Sequence, residues 1–238
     1  MRVGMLTAGG DCPGLNAVIR AVTRSAIERG DEAVGIMRGY RGLAERDYVG
    51  LDMRTVSGIL PLGGTILRTS SFEPTTEGAV ERVVETFEAD SFDAVVAIGG
   101  EHTMEITREL HEEHGLPLIG VPKTIDNDIV GTDYTFGFDT AVHVVSEAVD
   151  RFHSTAESHD GVMVVEVMGR NEGWIALDGG IAGGADSIVI PEVQMTCEAI
   201  AAAIRGRHER GKNFSIIVVA EGAALAFEDG EVRQIRVS

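Results

Sequence analysis

The alternation of apolar strands with helical patterns along the whole chain is the feature that most constrains its fold. The first strand is predicted at residues 2–8, and a glycine-rich turn at 9–14 leads into a helical pattern that begins at Leu15. Strands that are apolar almost throughout are typical of parallel sheets that helices cover on both faces. The sequence therefore predicts an α/β fold built on parallel strands.

The same pattern continues to the end of the chain. Further strands are predicted at 32–37, 92–98, 116–121, 162–167, 187–190 and 214–220, and helices at 104–114, 141–152 and 197–210. A boundary between two α/β lobes is expected near 137–141, which gives a first lobe at 1–138 and a second at 139–238. Ligands of open α/β sheets bind beyond the carboxyl ends of the strands, so the residues that follow the strands are the candidates for a functional site.

Charge and composition exclude several classes of protein. The formal net charge is −18, which argues against broad binding to nucleic-acid phosphates, and any anionic substrate must be held by local cations or helix N-termini. The sequence contains no apolar run of the length that a membrane span needs, no signal-peptide pattern and only two cysteines. We therefore expect a cytoplasmic protein with no membrane or nucleic-acid partner.

Two glycine turns that join a strand to a helix are candidates for phosphate binding. The first occupies 9–14, and the second runs from Gly99-Gly100 into Glu101, His102 and Thr103. Backbone N–H groups at such turns favour anions, and Glu101 could carry a hard cation such as Mg²⁺. Neither turn has the lysine of a P-loop or the spaced glycines of the dinucleotide fingerprint, and a tight turn or a simple helix start would explain each equally well.

Two carboxylates and a hydroxyl crowd the loop at 122–128, directly after a predicted strand. Asp126 could accept the proton of an attacking hydroxyl during phosphoryl transfer, and Lys123 could neutralise phosphate charge. An Asx-rich turn would account for the same residues. Arg170, after another strand, suits bidentate contact to phosphate or sugar oxygens, and Glu221 could accept hydrogen bonds from a sugar hydroxyl, although surface ion pairs would explain both.

Taken in order, these segments resemble the phosphofructokinase family over nearly the whole chain. The motifs that carry the resemblance are Gly-Gly-Asp-Cys-Pro-Gly-Leu-Asn at 9–16, Gly-Gly-Thr at 63–65, Pro-Lys-Thr-Ile-Asp-Asn-Asp-Ile at 122–129, Gly-Thr-Asp-Tyr-Thr-Phe-Gly-Phe at 131–138 and Val-Val-Glu-Val-Met-Gly-Arg at 164–170. The resemblance implies two α/β lobes with the active site between them. It also implies a Mg²⁺-dependent phosphotransferase of glycolysis, usually a homo-oligomer, that acts on fructose 6-phosphate.

The resemblance also assigns roles to individual residues. Asp126 is the catalytic base for the 1-hydroxyl of the sugar, Thr124 and Lys123 help with the transferring phosphoryl group, and Glu101 is the acid associated with the metal. The expected substrate-binding residues are Thr124, Ile125, Asp126, Asp128, Met168, Gly169, Arg170 and Glu221. The expected donor-binding residues are Gly10, Tyr40, Gly100, Glu101, His102 and Thr103. Arg20 and Arg24 match arginines of the effector site in bacterial members.

The resemblance leaves the phosphoryl donor open between ATP and pyrophosphate. ATP-using members usually have glycine at the position of His102, and pyrophosphate-using members usually have aspartate. Lys123 resembles the pyrophosphate type. Tyr40 matches the tyrosine that packs against adenine, and this match, with the absence of aspartate at 102, favours ATP.

Three departures from the family pattern raise the alternative of a non-catalytic, truncated sugar-phosphate binder. Gly161 stands where members supply an arginine to a neighbouring subunit. The usual Arg-Phe pair reads Ser71-Phe72, with Arg68 three residues earlier. The chain is also shorter than members of the family, so we expect the first lobe to be incomplete.

Overall fold

A computed structural model describes residues 1–76, 78–227 and 230–234 of the 238-residue chain. The predicted second lobe at 139–238 includes residues 228, 229 and 235–238, which lie outside the described residues. No helix in the described ranges combines the length and the apolar character that crossing a bilayer requires.

The chain divides into two compact units, and the loop that carries Asp126 is shared between them. Unit 1 consists of Met1–Thr124 and Ile129–Gly137, and unit 2 consists of Ile125–Asp128 and Phe138–Ser238. The loop that follows β5 therefore contributes its first residues to one unit and the next four to the other.

Unit 1 contains a five-stranded sheet in the order β3-β2-β1-β4-β5. Its strands are β1 (Arg2–Thr7), β2 (Glu32–Ile36), β3 (Tyr48–Leu51), β4 (Ala94–Gly99) and β5 (Leu118–Pro122). The pairs of β1 with β2, β1 with β4 and β4 with β5 are parallel, whereas β3 runs antiparallel to β2. The central strands are mostly buried because helices cover the sheet, as the apolar runs in the sequence predict.

The described residues of unit 1 form four helices. They are α1 (Leu15–Glu28), α2 (Tyr40–Glu45), α3 (Ala79–Ala89) and α4 (Glu101–His114). Side chains from the sheet and the helices form one apolar cluster that includes Leu6, Ile36, Leu43, Phe87 and Leu110. This cluster holds the ends of β1 and β4 in a fixed register.

Unit 2 contains two small sheets. Its elements are α5 (Phe138–Ser158), β6 (Val162–Val167), α6 (Trp174–Ala182), β7 (Ser187–Val189), β8 (Met195–Thr196), α7 (Cys197–Glu209), β9 (Ser215–Ala220), β10 (Ala224–Ala226) and β11 (Val232–Gln234). One sheet has the parallel order β6-β9-β7, and the other has the order β11-β10-β8 with an antiparallel β10–β11 pair. All six residues of β9 are buried, since this strand lies in the middle of its sheet.

The structure confirms the predicted α/β class with parallel strands and adds elements that the pattern did not predict. β6 has the predicted bounds, whereas α4 begins at Glu101 rather than at 104 and α5 extends to Ser158 rather than to 152. The helices α2, α3 and α6 and the antiparallel strands β3 and β11 were not predicted. The helix α2 and the strands β3 and β11 are short, and α6 is apolar on all sides, so local pattern gives little signal for them. In contrast, α3 buries Ala79, Val83 and Phe87 at helical spacing, so a signal was present there and was missed.

Candidate functional site

Three neighbouring strands of unit 1 end at the same edge of the sheet, and the predicted donor-binding segments follow them there. In the parallel ladders Thr7 lies opposite Ile98, and Gly99 lies opposite Pro122. The backbone N–H of Lys123 donates to the carbonyl oxygen of Gly99 at 2.8 Å. The register of the sheet therefore brings together segments that are about 90 and 20 residues apart in sequence.

In the first glycine turn, two carbonyl groups accept hydrogen bonds from side chains elsewhere in unit 1, and several backbone amides are available to a ligand. The hydroxyl of Thr69 donates to the carbonyl oxygen of Gly9 at 2.8 Å, and the buried Lys123 ammonium donates to the carbonyl oxygen of Gly10 at 2.7 Å. In the described part of the chain, the backbone N–H groups of Gly9, Gly10 and Asp11 have no hydrogen-bond acceptor. Such a row of amides suits an anion.

The second glycine turn opens α4 without a capping side chain. Gly100 precedes the helix and provides no side-chain hydrogen bond, so the first N–H groups of α4 are available to a ligand. A Cβ at Gly99 would overlap the side chain of the buried Thr103, and glycine is therefore needed for the helix to begin this close to the strand. Glu101 lies exposed in the first turn.

His102 is part of a carboxylate-linked cluster that the sequence did not suggest. Its Nε2 lies 2.7 Å from Glu73 Oε2, and its Nδ1 lies 3.4 Å from Glu105 Oε2. Hydrogen bonds that the carboxylates of Glu73 and Glu105 accept from the imidazolium raise the pKa of His102 above its usual range. Partial burial acts to raise the pKa of Glu73, but hydrogen bonds from His102 and Thr75 outweigh it and lower that pKa.

Replacing Glu73 with glutamine is expected to lower the pKa of His102, because the neutral amide no longer stabilises the imidazolium. A histidine pKa raised above 6.5 adds stability that is complete below that value and is lost as the pH rises through the folded-state pKa. The lowered pKa of Glu73 adds stability that is present above 4.5 and is lost as the pH falls through its folded-state pKa. An NMR titration of the histidine resonances from pH 4 to 9 measures the pKa of His102 in the parent protein and in Glu73→Gln.

Glu147→Gln is the matched control for this titration. Glu147 lies 3.7 Å from His143 on the surface of α5, and both histidines are about equally exposed, at 71% for His102 and 72% for His143. The control should leave the His102 midpoint unchanged. A midpoint that is the same in the parent protein and in Glu73→Gln would show that the 2.7 Å contact does not persist in solution.

Tyr40, expected from the resemblance to contact adenine, is buried in the core of unit 1. Its side chain lies in the apolar cluster of unit 1 with 2% of its surface exposed, and its hydroxyl lies 2.8 Å from the Thr107 hydroxyl. Burial raises the pKa of Tyr40 to about 12, although the hydrogen bond with Thr107 partly opposes this shift. The buried ring offers no open face to an adenine base, so its position gives no support to the expected stacking.

In unit 2, Asp126, Arg170 and Glu221 form a connected set. Asp126 is 7% exposed, and its Oδ2 lies 3.7 Å from Arg170 Nε. One oxygen of Glu221 accepts hydrogen bonds from the backbone N–H groups of Gly169 at 3.0 Å and Arg170 at 2.6 Å. Glu221 thus uses its carboxylate to hold the loop that presents Arg170, which adds a positioning role to the sugar contact expected of it.

Close backbone packing shapes the same loop. A Cβ at Gly222 would overlap the carbonyl oxygen of Arg170, and Arg170 itself has φ 51° in the left-handed region. Gly169 has φ 146°, and a side chain there would overlap the carbonyl oxygen of Glu172. The loop conformation therefore depends on two glycines, of which only Gly169 was singled out from the sequence for a binding role.

The remaining predicted substrate residues surround this set. Met168 is 61% exposed, Asp128 is partly buried, and Ile125 packs against the apolar core of unit 2. Burial, with smaller contributions from Glu192 and Asp128, raises the pKa of Glu172. Carboxylates thus crowd the surroundings of Arg170.

Two further predicted residues belong to unit 1. Thr124 is buried there, and its backbone forms an isolated parallel bridge with Gly137. Arg20, expected at an effector site, donates from Nη1 to the carbonyl oxygen of Val56 at 3.0 Å. Among the described residues, no group of three or more His, Cys, Asp or Glu side chains could hold a metal ion by itself.

Known proteins of one family match nearly the whole chain. The Phosphofructokinase family model matches residues 2–236. "ATP-dependent 6-phosphofructokinase 3" of Streptomyces coelicolor is 52% identical over 237 residues, which cover 97% of this chain and 69% of that protein. "Pyrophosphate--fructose 6-phosphate 1-phosphotransferase" of the same organism is also 52% identical, over 94% of this chain and 66% of that protein. The chain thus spans about two thirds of the length of these curated relatives.

Solved structures of phosphofructokinases share the fold of this chain. The phosphofructokinase structure from Saccharomyces cerevisiae superposes with a TM-score of 0.84 at 33% identity, over 93% of this chain and 34% of that one. The pyrophosphate-dependent phosphofructokinase from Nitrosospira multiformis superposes with a TM-score of 0.85 at 23% identity and supports the fold alone. With a matching family model, relatives at 52% identity and the shared fold, the chain belongs to the phosphofructokinase family.

Proposed function

We propose that this protein transfers a phosphoryl group to the 1-hydroxyl of fructose 6-phosphate and forms fructose 1,6-bisphosphate. The observation that carries the proposal is the buried Asp126 beside Arg170, on a loop that Glu221 holds in place. A carboxylate and a guanidinium side by side suit a hydroxyl nucleophile on an anionic substrate. The names of relatives at 52% identity point to the same acceptor.

On the acceptor side, Asp126 takes the proton of the 1-hydroxyl as the oxygen attacks phosphorus. Arg170 Nε lies 3.7 Å from Asp126 Oδ2 and places a positive charge beside this carboxylate. Arg170, Met168 and Gly169 bind the sugar phosphate, and Glu221 orients them through the backbone. Residues 139–238 form the proposed sugar-binding lobe, together with Asp126 and Asp128 from the preceding loop.

On the donor side, we assign phosphate binding to residues 1–138. The open amides at Gly9 and Gly10 and the uncapped start of α4 at Gly100 suit phosphate oxygens. Lys123 donates from Nζ to the Gly10 carbonyl oxygen at 2.7 Å, so its positive charge lies beside the first glycine turn. Thr103 follows β4 and Thr124 follows β5 at this edge of the sheet, and both are assigned to the phosphate-binding set.

Mg²⁺ fits this set of residues. It is usually held by one or two carboxylates together with substrate phosphates, so it does not need a cluster of three protein ligands, and none occurs among the described residues. Glu101, exposed in the first turn of α4, would supply the protein ligand. When bound, the ion would neutralise part of the charge on the transferring phosphoryl group.

ATP is the proposed donor, and pyrophosphate is the second candidate. The lack of aspartate at position 102 favours ATP, whereas the buried Tyr40 removes one argument for it. Lys123 favours pyrophosphate, as does Glu73, because its carboxylate lies 2.7 Å from His102 and adds a negative charge beside that position. Relatives named for either donor are equally similar at 52% identity.

Purified 238-residue protein is expected to form fructose 1,6-bisphosphate from fructose 6-phosphate and Mg²⁺ with ATP and not with pyrophosphate. Both donors are tested in parallel, and an Asp126→Asn preparation measures the activity of any contaminating host enzyme. Turnover with pyrophosphate alone would replace the proposed donor. Calorimetric binding of fructose 6-phosphate without turnover would favour a non-catalytic binder, which the missing arginines at Gly161 and Ser71 also favour. A protein that neither turns over nor binds the sugar would contradict the proposal.

We further propose that the protein is a homo-oligomer, as its relatives' family usually is. The same preparation, examined by light scattering, gives the mass directly. A monomer at the concentrations used for the assay would contradict this part of the proposal.

A further inference from the structure

We infer that Arg68 contacts the phosphates of the phosphoryl donor and supplies positive charge on the donor side of the site. This inference rests on the proposed function, since it concerns the donor side of the same site. It assigns a ligand class, the diphosphate group that ATP and pyrophosphate share, to a residue outside the expected donor-binding set.

The backbone of Arg68 is held between the end of β1 and the first glycine turn. The buried Thr7 hydroxyl donates to the carbonyl oxygen of Arg68 at 2.8 Å and also lies 2.9 Å from the hydroxyl of Thr65. The next residue, Thr69, donates from its hydroxyl to the carbonyl oxygen of Gly9 at 2.8 Å. Arg68 is therefore fixed next to the turn whose amides are open to an anion.

Arg68 adopts a backbone conformation that is costly for its residue type. Its φ is 60°, in the left-handed region where glycine is favoured. The flanking chain holds it there, because Leu67 is fully buried and its carbonyl oxygen accepts from the Arg38 N–H at 2.8 Å. Strain of this kind persists where the surroundings over-determine it and is concentrated at functional sites.

The charge of Arg68 is not neutralised within the protein. No carboxylate of the described residues lies within ion-pairing distance of its exposed side chain. The two other left-handed arginines of unit 1 do form ion pairs, Arg38 with Asp47 at 2.6 Å and Arg46 with Asp90 at 3.4 Å. Acidic residues outnumber Lys and Arg by 38 to 20, so an unpaired arginine beside a phosphate-binding turn points to an anionic ligand.

Phosphate is the anion that fits best. A guanidinium presents a planar fork of N–H donors that matches two phosphate oxygens, and the open amides of Gly9 and Gly10 can bind others. Because all of these groups belong to unit 1, they act on the donor, whereas the sugar-phosphate contacts assigned above belong to unit 2.

Arg68→Gly separates a binding role from a structural one. Glycine relieves the left-handed strain, so the melting temperature should stay the same or rise. The dissociation constants of Mg²⁺–ATP and Mg²⁺–pyrophosphate, measured by calorimetry, should each rise by about 10- to 100-fold, the usual effect of losing a hydrogen bond to a charged group. Fructose 6-phosphate affinity should not change, and Arg68→Lys, which keeps the charge, should be intermediate.

Arg46→Gly is the matched control, because Arg46 is also a left-handed arginine of unit 1, with φ 56°. It removes the same charge and should leave donor binding unchanged. Donor affinity in Arg68→Gly equal to that of the parent protein would overturn the inference. So would a parent protein that binds neither donor. A parent protein that binds a donor through Arg68 but does not turn over would support the inference while contradicting the proposed catalytic function.

Discussion

Asp126→Asn is expected to lower the turnover number by about 10²- to 10⁴-fold, the usual contribution of a general base. Asparagine has nearly the same size and keeps a hydrogen-bond acceptor toward Arg170, but its amide cannot take the proton of the 1-hydroxyl. The affinity for fructose 6-phosphate should change little, because Arg170 and the loop that Glu221 holds remain in place. Steady-state rates with the preferred donor, together with calorimetry of sugar binding, separate the two quantities.

Asp150→Asn is the control for the loss of one negative charge in unit 2. Asp150 is exposed on α5 and belongs to none of the segments assigned to substrate or donor. Its replacement should leave both the rate and the sugar affinity at the parent values. Parent-like turnover in Asp126→Asn would rule out Asp126 as the base. Loss of sugar binding in step with turnover would assign it to binding instead.

Gly222→Ala is expected to weaken fructose 6-phosphate binding by about 10-fold or more and to destabilise unit 2 by about 1–3 kcal/mol. The new methyl group would overlap the carbonyl oxygen of Arg170, so either the turn at Gly222 or the Arg170 loop must shift. The hydrogen bonds from the backbone of Gly169 and Arg170 to Glu221 are the contacts most directly affected by that shift. Urea unfolding and calorimetry of sugar binding measure the two effects.

Gly206→Ala gives the matched control for adding a methyl group to a glycine of unit 2. Gly206 lies within α7, and the nearest atom to a Cβ there is Arg210 Nη1 at 3.6 Å, which is an ordinary contact. Alanine should stabilise the helix by about 0.5–1 kcal/mol and leave sugar affinity unchanged. If Gly222→Ala has the stability and sugar affinity of the parent protein, the backbone near Arg170 can move to accommodate the methyl group, and the prediction is wrong.

The start of α4 shows what a local sequence pattern can and cannot predict. The strand that ends at Gly99 and a following helix were predicted, yet the helix begins at Glu101 rather than three residues later. The usual start signal, a capping Ser, Thr, Asp or Asn, is absent because Gly100 stands at the cap position and has no side chain to make the bond. Without that signal, the sequence pattern did not mark where the helix begins.

The environment of Tyr40 is a feature that a motif does not reveal. Its place in the sequence matches an adenine contact, but side chains from several elements of unit 1 bury the ring to 2% exposure. Burial depends on all the neighbours that pack around a residue, and those neighbours are distant in sequence. The role of a matched residue therefore needs its environment as well as its position.

The sequence by itself determined the α/β class, the bounds of β6 and the segments that carry the candidate site. It could do so because apolar periodicity is local, and because parallel strands deliver the residues after their carboxyl ends to one edge. Only the tertiary structure decided that His102 pairs with Glu73, 29 residues away, and that Gly222 must be glycine because the Arg170 carbonyl lies against it. It likewise set the unpaired Arg68 beside Gly9. These contacts join residues that are far apart in sequence, so no local pattern predicts them and only the packing of the folded chain creates them.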